Sequence, residues 1–161
     1  MNQPAAVSEI EPAKPENREL LSRALALISR RDLSRAEFVN KLVTREFDKA
    51  EVEAAADWCA AQGFLSESRY AEGAARRLSA KYSAGRVIQT LRSKGVTDDA
   101  ISQLVPDLKA NELEQARAIW TRKFRAPPAD ADEKAKQIRF LQSRGFSFDV
   151  IKRVIAQTDA A

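Results

Sequence analysis

Few residue types in this chain could carry out covalent chemistry. The sequence contains no histidine, which removes the commonest general base and metal ligand. Its single cysteine, Cys59, has no histidine to activate the thiol and falls among alanines in a helical pattern, so we interpret it as a small packed residue. Asp98 and Asp99 could bind a metal, but acids in the first turn of a helix favour its dipole, and we prefer that interpretation. The sequence therefore predicts no catalytic residue and no metal site.

Cofactor and membrane sites are equally unsupported. Neither the P-loop pattern nor the dinucleotide-binding glycine pattern occurs, so the sequence predicts no nucleotide cofactor. No apolar run approaches the roughly 18 residues of a membrane span, and the N-terminus lacks the apolar core of a signal peptide. A lone cysteine cannot form an internal disulfide, which fits a reducing compartment. We expect a non-enzymatic cytoplasmic protein without cofactor, small-molecule substrate or membrane partner.

The charge that could bind a partner is concentrated in the middle of the chain. Residues 66–95 carry seven basic and two acidic side chains, a net charge of +5, whereas all other residues together sum to −1. Single charges on helices are often only a solvated face, but a local positive field of this kind favours an anionic partner. Arg77 and Lys81 lie four residues apart, a like-charge spacing whose repulsion an anionic surface would offset. The candidate partner- and DNA-binding residues are Arg76, Arg77, Lys81, Arg86, Arg92 and Lys94.

Two neighbouring features allow more than one interpretation. Tyr82 lies between the basic groups and could stack on a base, but we favour packing because nucleic-acid platforms usually show several exposed aromatic residues. Arg45, Lys94 and Arg144 recur at one place in a repeated pattern. We favour helix-dipole compensation for these three, since cations stabilise helix C-termini.

A sequence pattern that occurs three times predicts the helices that position these residues. Leu42, Leu91 and Leu141 lie 49 and 50 residues apart. In each copy a basic residue follows three positions later, an apolar residue precedes the leucine by three, and another follows it by ten. A period near 50 residues is typical of an array of supersecondary units.

Each copy is typical of two helices joined by a tight turn, with a third helix before them. The apolar i,i+3 pair predicts the first helix, and Gly95 and Gly145 fall where a helix ends in the left-handed conformation. Glu46 takes that place in the first copy, a departure that should cost stability. The next two positions hold a buried apolar residue and an N-cap: Phe47 and Asp48, Val96 and Thr97, Phe146 and Ser147. The sequence therefore predicts an all-α fold of three tandem three-helix repeats in an elongated, curved array.

The same patterns set the domain boundaries. We expect a disordered tail over residues 1–18 and repeats over residues 19–63, 64–107 and 108–161. Pro106 is expected to end the last helix of the second repeat. Asn17 or a neighbouring residue is expected to cap the first helix, and Ser34 paired with Glu37 is expected to cap the second.

Several motifs together resemble a known family. They are Ala24 through Glu37, Arg69 through Glu72, Ile88 through Val96, and Arg139 through Ser147. In this order and spacing the chain resembles the RecX regulatory proteins of bacteria over roughly residues 20–157. Two departures, Ala84-Gly85 in place of Gly-Pro and Glu46 in place of glycine, concern local turns.

The resemblance implies a function. It implies a regulator of homologous recombination, DNA repair and the SOS response that binds the RecA recombinase filament on single-stranded DNA. Such a protein mostly inhibits the filament's ATP hydrolysis, strand exchange and co-protease activity, and direct DNA contact is compatible with it. Two alternatives remain open: a stand-alone helical DNA-binding module, and a helical adaptor for another protein whose basic face is incidental.

Overall fold

The computed structural model describes residues 10–45 and 47–158, and within these ranges the chain is helical without any strand. Its nine helices there are α1 (Arg18–Arg30), α2 (Arg35–Val43), α3 (Lys49–Ala61), α4 (Glu67–Ser79), α5 (Ala84–Ser93), α6 (Asp98–Ala110), α7 (Glu112–Phe124), α8 (Ala131–Ser143) and α9 (Phe148–Thr158). None of them is both long enough and apolar enough to cross a membrane. The all-α prediction is confirmed. Half of the predicted tail, residues 1–9, lies outside the described residues, as does Glu46.

The chain divides into two compact units, the first ending at Ser66 and the second beginning at Glu67. Three separate cores are distributed over them. The first unit contains the core of α1–α3, and the second contains the cores of α4–α6 and α7–α9. We call these three helix groups the first, second and third repeats.

The first repeat begins each of its helices at a side-chain cap. Backbone N–H groups donate to Asn17 Oδ1 (3.1 Å), Ser34 Oγ (3.1 Å) and Asp48 Oδ2 (3.1 and 3.2 Å). Behind these caps Phe38, Leu42 and Val52 are fully buried, and Leu20 is 1% exposed. Burying one such side chain contributes about 1.5–3 kcal/mol, so each of these residues stabilises the first repeat. The predicted caps and the predicted core leucine are confirmed.

The second repeat relies on small residues. Tyr70, Ala71, Ala74 and Ala75 form the buried face of α4, and the alanines let α5 and α6 approach it closely. Leu91 of α5 is fully buried in the resulting core. Thr97 caps α6, accepting a 3.3 Å hydrogen bond from the N–H of Ala100.

The third repeat contains a buried polar bond within its core. Ala116, Ile119 and Trp120 face inward from α7, and the indole Nε1 of Trp120 donates to Gln137 Oε1 at 2.8 Å. That bond satisfies the indole N–H and allows Gln137, on α8, to be buried at low cost. Leu141 is fully buried, the third member of the leucine series after Leu42 and Leu91.

The two predicted glycine turns have the expected geometry. Gly95 and Gly145 have φ values of 80° and 92°, in the left-handed region. Val96 N donates to Leu91 O (3.1 Å) and Phe146 N donates to Leu141 O (3.2 Å), which is the bond of a Schellman motif. Each turn carries its apolar residue back under the helix, so that Val96 and Phe146 are almost fully buried.

The prediction that Pro106 ends a helix was wrong. Helix α6 continues through Pro106 to Ala110, past the boundary expected at residue 107. Proline removes the bond to the carbonyl four residues earlier, that of Ser102, but this carbonyl lies on the exposed face. Beyond the proline, Leu108 packs against the core of the second repeat. The burial gained by Leu108 therefore offsets part of the cost of an interior proline.

A close joint connects the second and third repeats. The N–H of Ser83 donates to the carbonyl of Arg144 at 3.0 Å, and the N–H of Ala84 donates to Glu112 Oε1 at 3.2 Å. A methyl group added at Gly145 would lie 2.6 Å from Ser83 Oγ. The start of α5 is thus fixed against the end of α8 and the start of α7.

Candidate partner-binding surface

The six predicted basic residues are all exposed, but they divide among several surroundings. Arg76 and Arg77 lie in the last turn of α4, where cations compensate the helix dipole. Arg76 lines a cavity of about 490 Å³ that also contains the carboxylates of Glu72 and Asp107. The surroundings of Arg76 are therefore of mixed charge.

Lys81 and Arg86 flank the turn between α4 and α5. The guanidinium carbon of Arg86 lies 4.8 Å from the centroid of the Tyr82 ring, and its Nη1 donates to the carbonyl of Ser143. Tyr82 packs against the core of the second repeat, which is the packing role favoured from the sequence. Lys81 extends from the same turn into a groove described below.

Arg92 and Lys94 lie at the opposite end of α5, about 9 and 12 Å along the helix axis from Arg86 at 1.5 Å per residue. Arg92 Nε pairs with Asp98 Oδ1 at 3.1 Å, and both side chains are more than half exposed, so the pair contributes little stability. Lys94 is the C-cap residue of α5. The structure therefore does not gather the six residues into one cluster.

A groove between the second and third repeats contains three cations that are not among the six predicted binding residues. Arg122 and Lys123, in the last turn of α7, and Arg144, the C-cap residue of α8, line a space of about 450 Å³ together with Lys81. We call this space the inter-repeat groove. Arg144 had been interpreted as compensating a helix dipole, and Arg122 and Lys123 lie outside the basic stretch of residues 66–95. A count of charge along the chain cannot find residues that only folding brings together.

The residues that could do chemistry do not assemble. Cys59 is fully buried in the first core, and its burial raises the pKa of the thiol, which keeps it protonated and unreactive. The Asp98 carboxylate forms an ion pair with Arg92 and does not join a second carboxylate in a metal-binding pair. In the part of the chain that the structure describes, no group of three or more potential ligands is placed to hold a metal ion.

These observations define a class before any relative is considered: a helical protein of three-helix repeats, with cations on its surface and no assembled catalytic group in its described residues. The family model described as RecX, third three-helix domain, matches residues 110–155. Regulatory protein RecX of Ralstonia nicotianae is 42% identical over 141 residues, covering 88% of this chain and 89% of the relative. That of Leptothrix cholodnii is 44% identical over 140 residues, covering 87% and 89%. The chain belongs to the RecX family of regulatory proteins.

The fold agrees with solved structures of the family. The crystal structure of RecX from Lactobacillus salivarius matches with a TM-score of 0.73 at 18% identity, covering 89% of this chain and 96% of that one. A second crystal structure of a regulatory protein RecX matches with a TM-score of 0.68 at 22% identity. At such identities the likeness concerns the fold alone, and it confirms the arrangement of three-helix repeats.

Proposed function

We propose that this chain is a non-enzymatic, cytoplasmic regulator of homologous recombination that binds the RecA recombinase filament on single-stranded DNA. Binding lowers the filament's ATP hydrolysis, strand exchange and co-protease activity. The observation that carries the proposal is family membership: relatives named regulatory protein RecX match at 42% and 44% identity over nearly all of their length.

The arrangement of cores supports binding to a filament. Each of the three repeats has its own buried cluster, so each can present a surface without depending on one central core. Where several such surfaces contact successive protomers of a polymer, the second contact forms at high effective concentration. Modest contacts then give tight binding to the filament and weak binding to a single protomer.

Charge supports the same partner. The exposed cations of α4 and α5 suit a nucleoprotein filament, which carries a dense phosphate charge. Arg76 and Arg77 are the most informative pair to test, because they are adjacent, exposed and on one helix. Their contact with the partner is part of the proposal.

The experiment measures DNA-dependent ATP hydrolysis by the recombinase as this protein is added. Wild-type protein should inhibit at amounts below one per protomer, and Arg76→Glu/Arg77→Glu should require about ten-fold more. Lys109→Glu/Arg153→Glu is the matched control, since it changes net charge equally at exposed positions of the same unit. Absence of inhibition by excess wild-type protein would refute the proposal.

The two alternatives make different predictions in the same system. A stand-alone DNA-binding module would bind naked single strands as tightly as filaments, with a salt slope of about −0.7 per phosphate contact. An adaptor with an incidental basic face would show unchanged filament binding after the reversal at Arg76 and Arg77. Strong filament binding with weak naked-strand binding favours the regulator.

A further inference from the structure

The inter-repeat groove combines cations with aromatic rings. Its cations are Lys81, Arg122, Lys123 and Arg144, and its aromatic rings are Tyr82 and Phe140. They come from three places in the second unit: the turn between α4 and α5, the end of α7, and the end of α8. The groove therefore exists only when the second and third repeats are folded against each other.

Two of the cations, Arg122 and Arg144, already have contacts within the protein. The guanidinium carbon of Arg144 lies 5.7 Å from the ring centroid of Tyr82 and 5.1 Å from that of Phe140, within the range of cation–π attraction. The Nη2 of Arg122 donates to the carbonyl of Ala80, which fixes α7 to the end of α4. Because these two arginines already have partners within the protein, less side-chain entropy is lost when a ligand binds them.

The charge of the groove is not neutralised by acids. In the described part of the chain, no carboxylate oxygen lies within the 4.0 Å of an ion pair from the side-chain nitrogens of these four cations. No acidic residue lines the groove, in contrast to the cavity beside Arg76. An anion entering the groove meets four positive charges, and no carboxylate is among the residues that line it.

Planar groups beside these charges indicate what the anion is. A peptide made of acidic residues alone would satisfy the cations but has no planar ring to place beside the Arg144 guanidinium. A nucleotide supplies both, because bases stack on aromatic and guanidinium planes while phosphates bind the cations. A volume of about 450 Å³ suits one or two splayed nucleotides better than a duplex.

We infer that the inter-repeat groove binds a segment of single-stranded nucleic acid, with phosphates on Lys81, Arg122 and Lys123 and a base beside Arg144. The inference deepens the proposed function, on which it rests, by assigning the strand contact to the groove.

The test measures binding of the full-length protein to a labelled oligothymidine of about 12 nucleotides, by fluorescence anisotropy at several salt concentrations. Lys123→Glu should weaken binding about ten-fold and make the slope of log K against log salt shallower by about 0.7, since one phosphate contact is lost. An abasic strand of the same length should bind wild-type protein several-fold more weakly, because it cannot stack.

The matched control is Lys109→Glu. Lys109 and Lys123 both lie in the last turn of a helix of the same unit and are exposed, so the two substitutions change net charge and helix dipole alike. Lys109→Glu should leave oligonucleotide affinity within about two-fold of wild type, since a charge outside the groove is screened. Unchanged urea unfolding, followed by Trp120 fluorescence in a Trp58→Phe background, shows that Lys123→Glu is folded.

Three outcomes would overturn the inference: equal losses for Lys123→Glu and Lys109→Glu, no loss for Lys123→Glu, or equal binding of the abasic strand. A polyglutamate of matched charge should compete poorly, and equal competition would identify an acidic protein segment as the occupant instead. Inhibition of recombinase ATP hydrolysis by wild-type protein, measured alongside, shows whether the proposed function stands when the groove inference fails.

Discussion

Replacing Gly145 with alanine tests the joint between the second and third repeats. At φ 92° an alanine is strained by about 1–2 kcal/mol, partly offset by about 0.4–1 kcal/mol from a less flexible unfolded chain. Its Cβ would also lie 2.6 Å from Ser83 Oγ and 3.3 Å from Arg86 Cβ, so the neighbouring chain must move.

That movement has a cost which can be worked out from the contacts of Ser83. Its hydroxyl caps α5 by accepting from Arg86 N at 3.2 Å, and a lost cap costs about 1 kcal/mol. Its N–H donates to Arg144 O, and a hydrogen bond contributes about 0.5–1.5 kcal/mol. We expect Gly145→Ala to destabilise the second unit by about 2–4 kcal/mol.

Gly63 provides the matched control. It has φ 76° and also ends a helix, but a methyl group added there meets no atom within 4 Å. Gly63→Ala therefore carries the backbone strain without the steric clash, and should cost about 0.5–1.5 kcal/mol in its own unit.

The two tryptophans allow each unit to be followed separately. Trp58 lies in the first unit and Trp120 in the second. Urea unfolding of Gly63→Ala is measured in a Trp120→Phe background, and that of Gly145→Ala in a Trp58→Phe background. Equal losses at the two glycines would refute the steric argument.

A double-mutant cycle locates the clash. Ser83→Gly removes the hydroxyl but keeps an acceptable N-cap residue, which costs only a few tenths of a kcal/mol. It should recover at least about 1 kcal/mol of the Gly145→Ala loss, whereas strictly additive effects would show that Ser83 is not the obstacle.

Three further predictions concern other parts of the fold. Leu91→Ala should lower the free energy of unfolding of the second unit by about 2–5 kcal/mol in urea melts, because the side chain is fully buried. Pro106→Ala should raise it by about 1–3 kcal/mol, because the exposed proline leaves one backbone hydrogen bond of α6 unmade. The first unit should lose stability as pH rises above about 8.5, the ordinary pKa of a thiol: burial raises the pKa of Cys59, so only the unfolded state ionises there.

Each of these three predictions has a control variant or an outcome that would contradict it. Gln89→Ala, at an exposed position of α5, should cost less than about 0.5 kcal/mol, and a similar cost at Leu91 would show that the repeat alignment is wrong. If Pro106→Ala lowers the free energy of unfolding, the proline does not weaken α6. Cys59→Ala should abolish the alkaline loss seen by Trp58 fluorescence, and persistence of the loss would assign it to another group.

Local sequence rules predicted the features that depend on a few neighbouring residues. Asn17, Ser34 and Thr97 cap helices as expected, because a cap needs only its own side chain and the next turn. Gly95 and Gly145 take the left-handed conformation for an equally local reason. The period near 50 residues predicted that the three leucines occupy equivalent positions, and all three are fully buried.

Features that depend on distant contacts were not predictable in this way. Pro106 was expected to end a helix because its local preference is strong, but the packing of Leu108 against the core prevailed. Arg122 and Arg144 are far from Lys81 in sequence, and nothing in the chain order places them beside it. The candidate surface predicted from a charge count therefore included Lys81 and missed its partners in the groove.

The close approach of Gly145 to Ser83 also limits how the two repeats can diverge. If they arose by duplication, most positions of one copy can change without regard to the other, but positions 83 and 145 cannot. Relatives that have lost the glycine at 145 should carry a smaller residue at 83, or a backbone shifted apart at this contact. Paired changes at these two sites are thus the expected sequence signature of this contact between the second and third repeats.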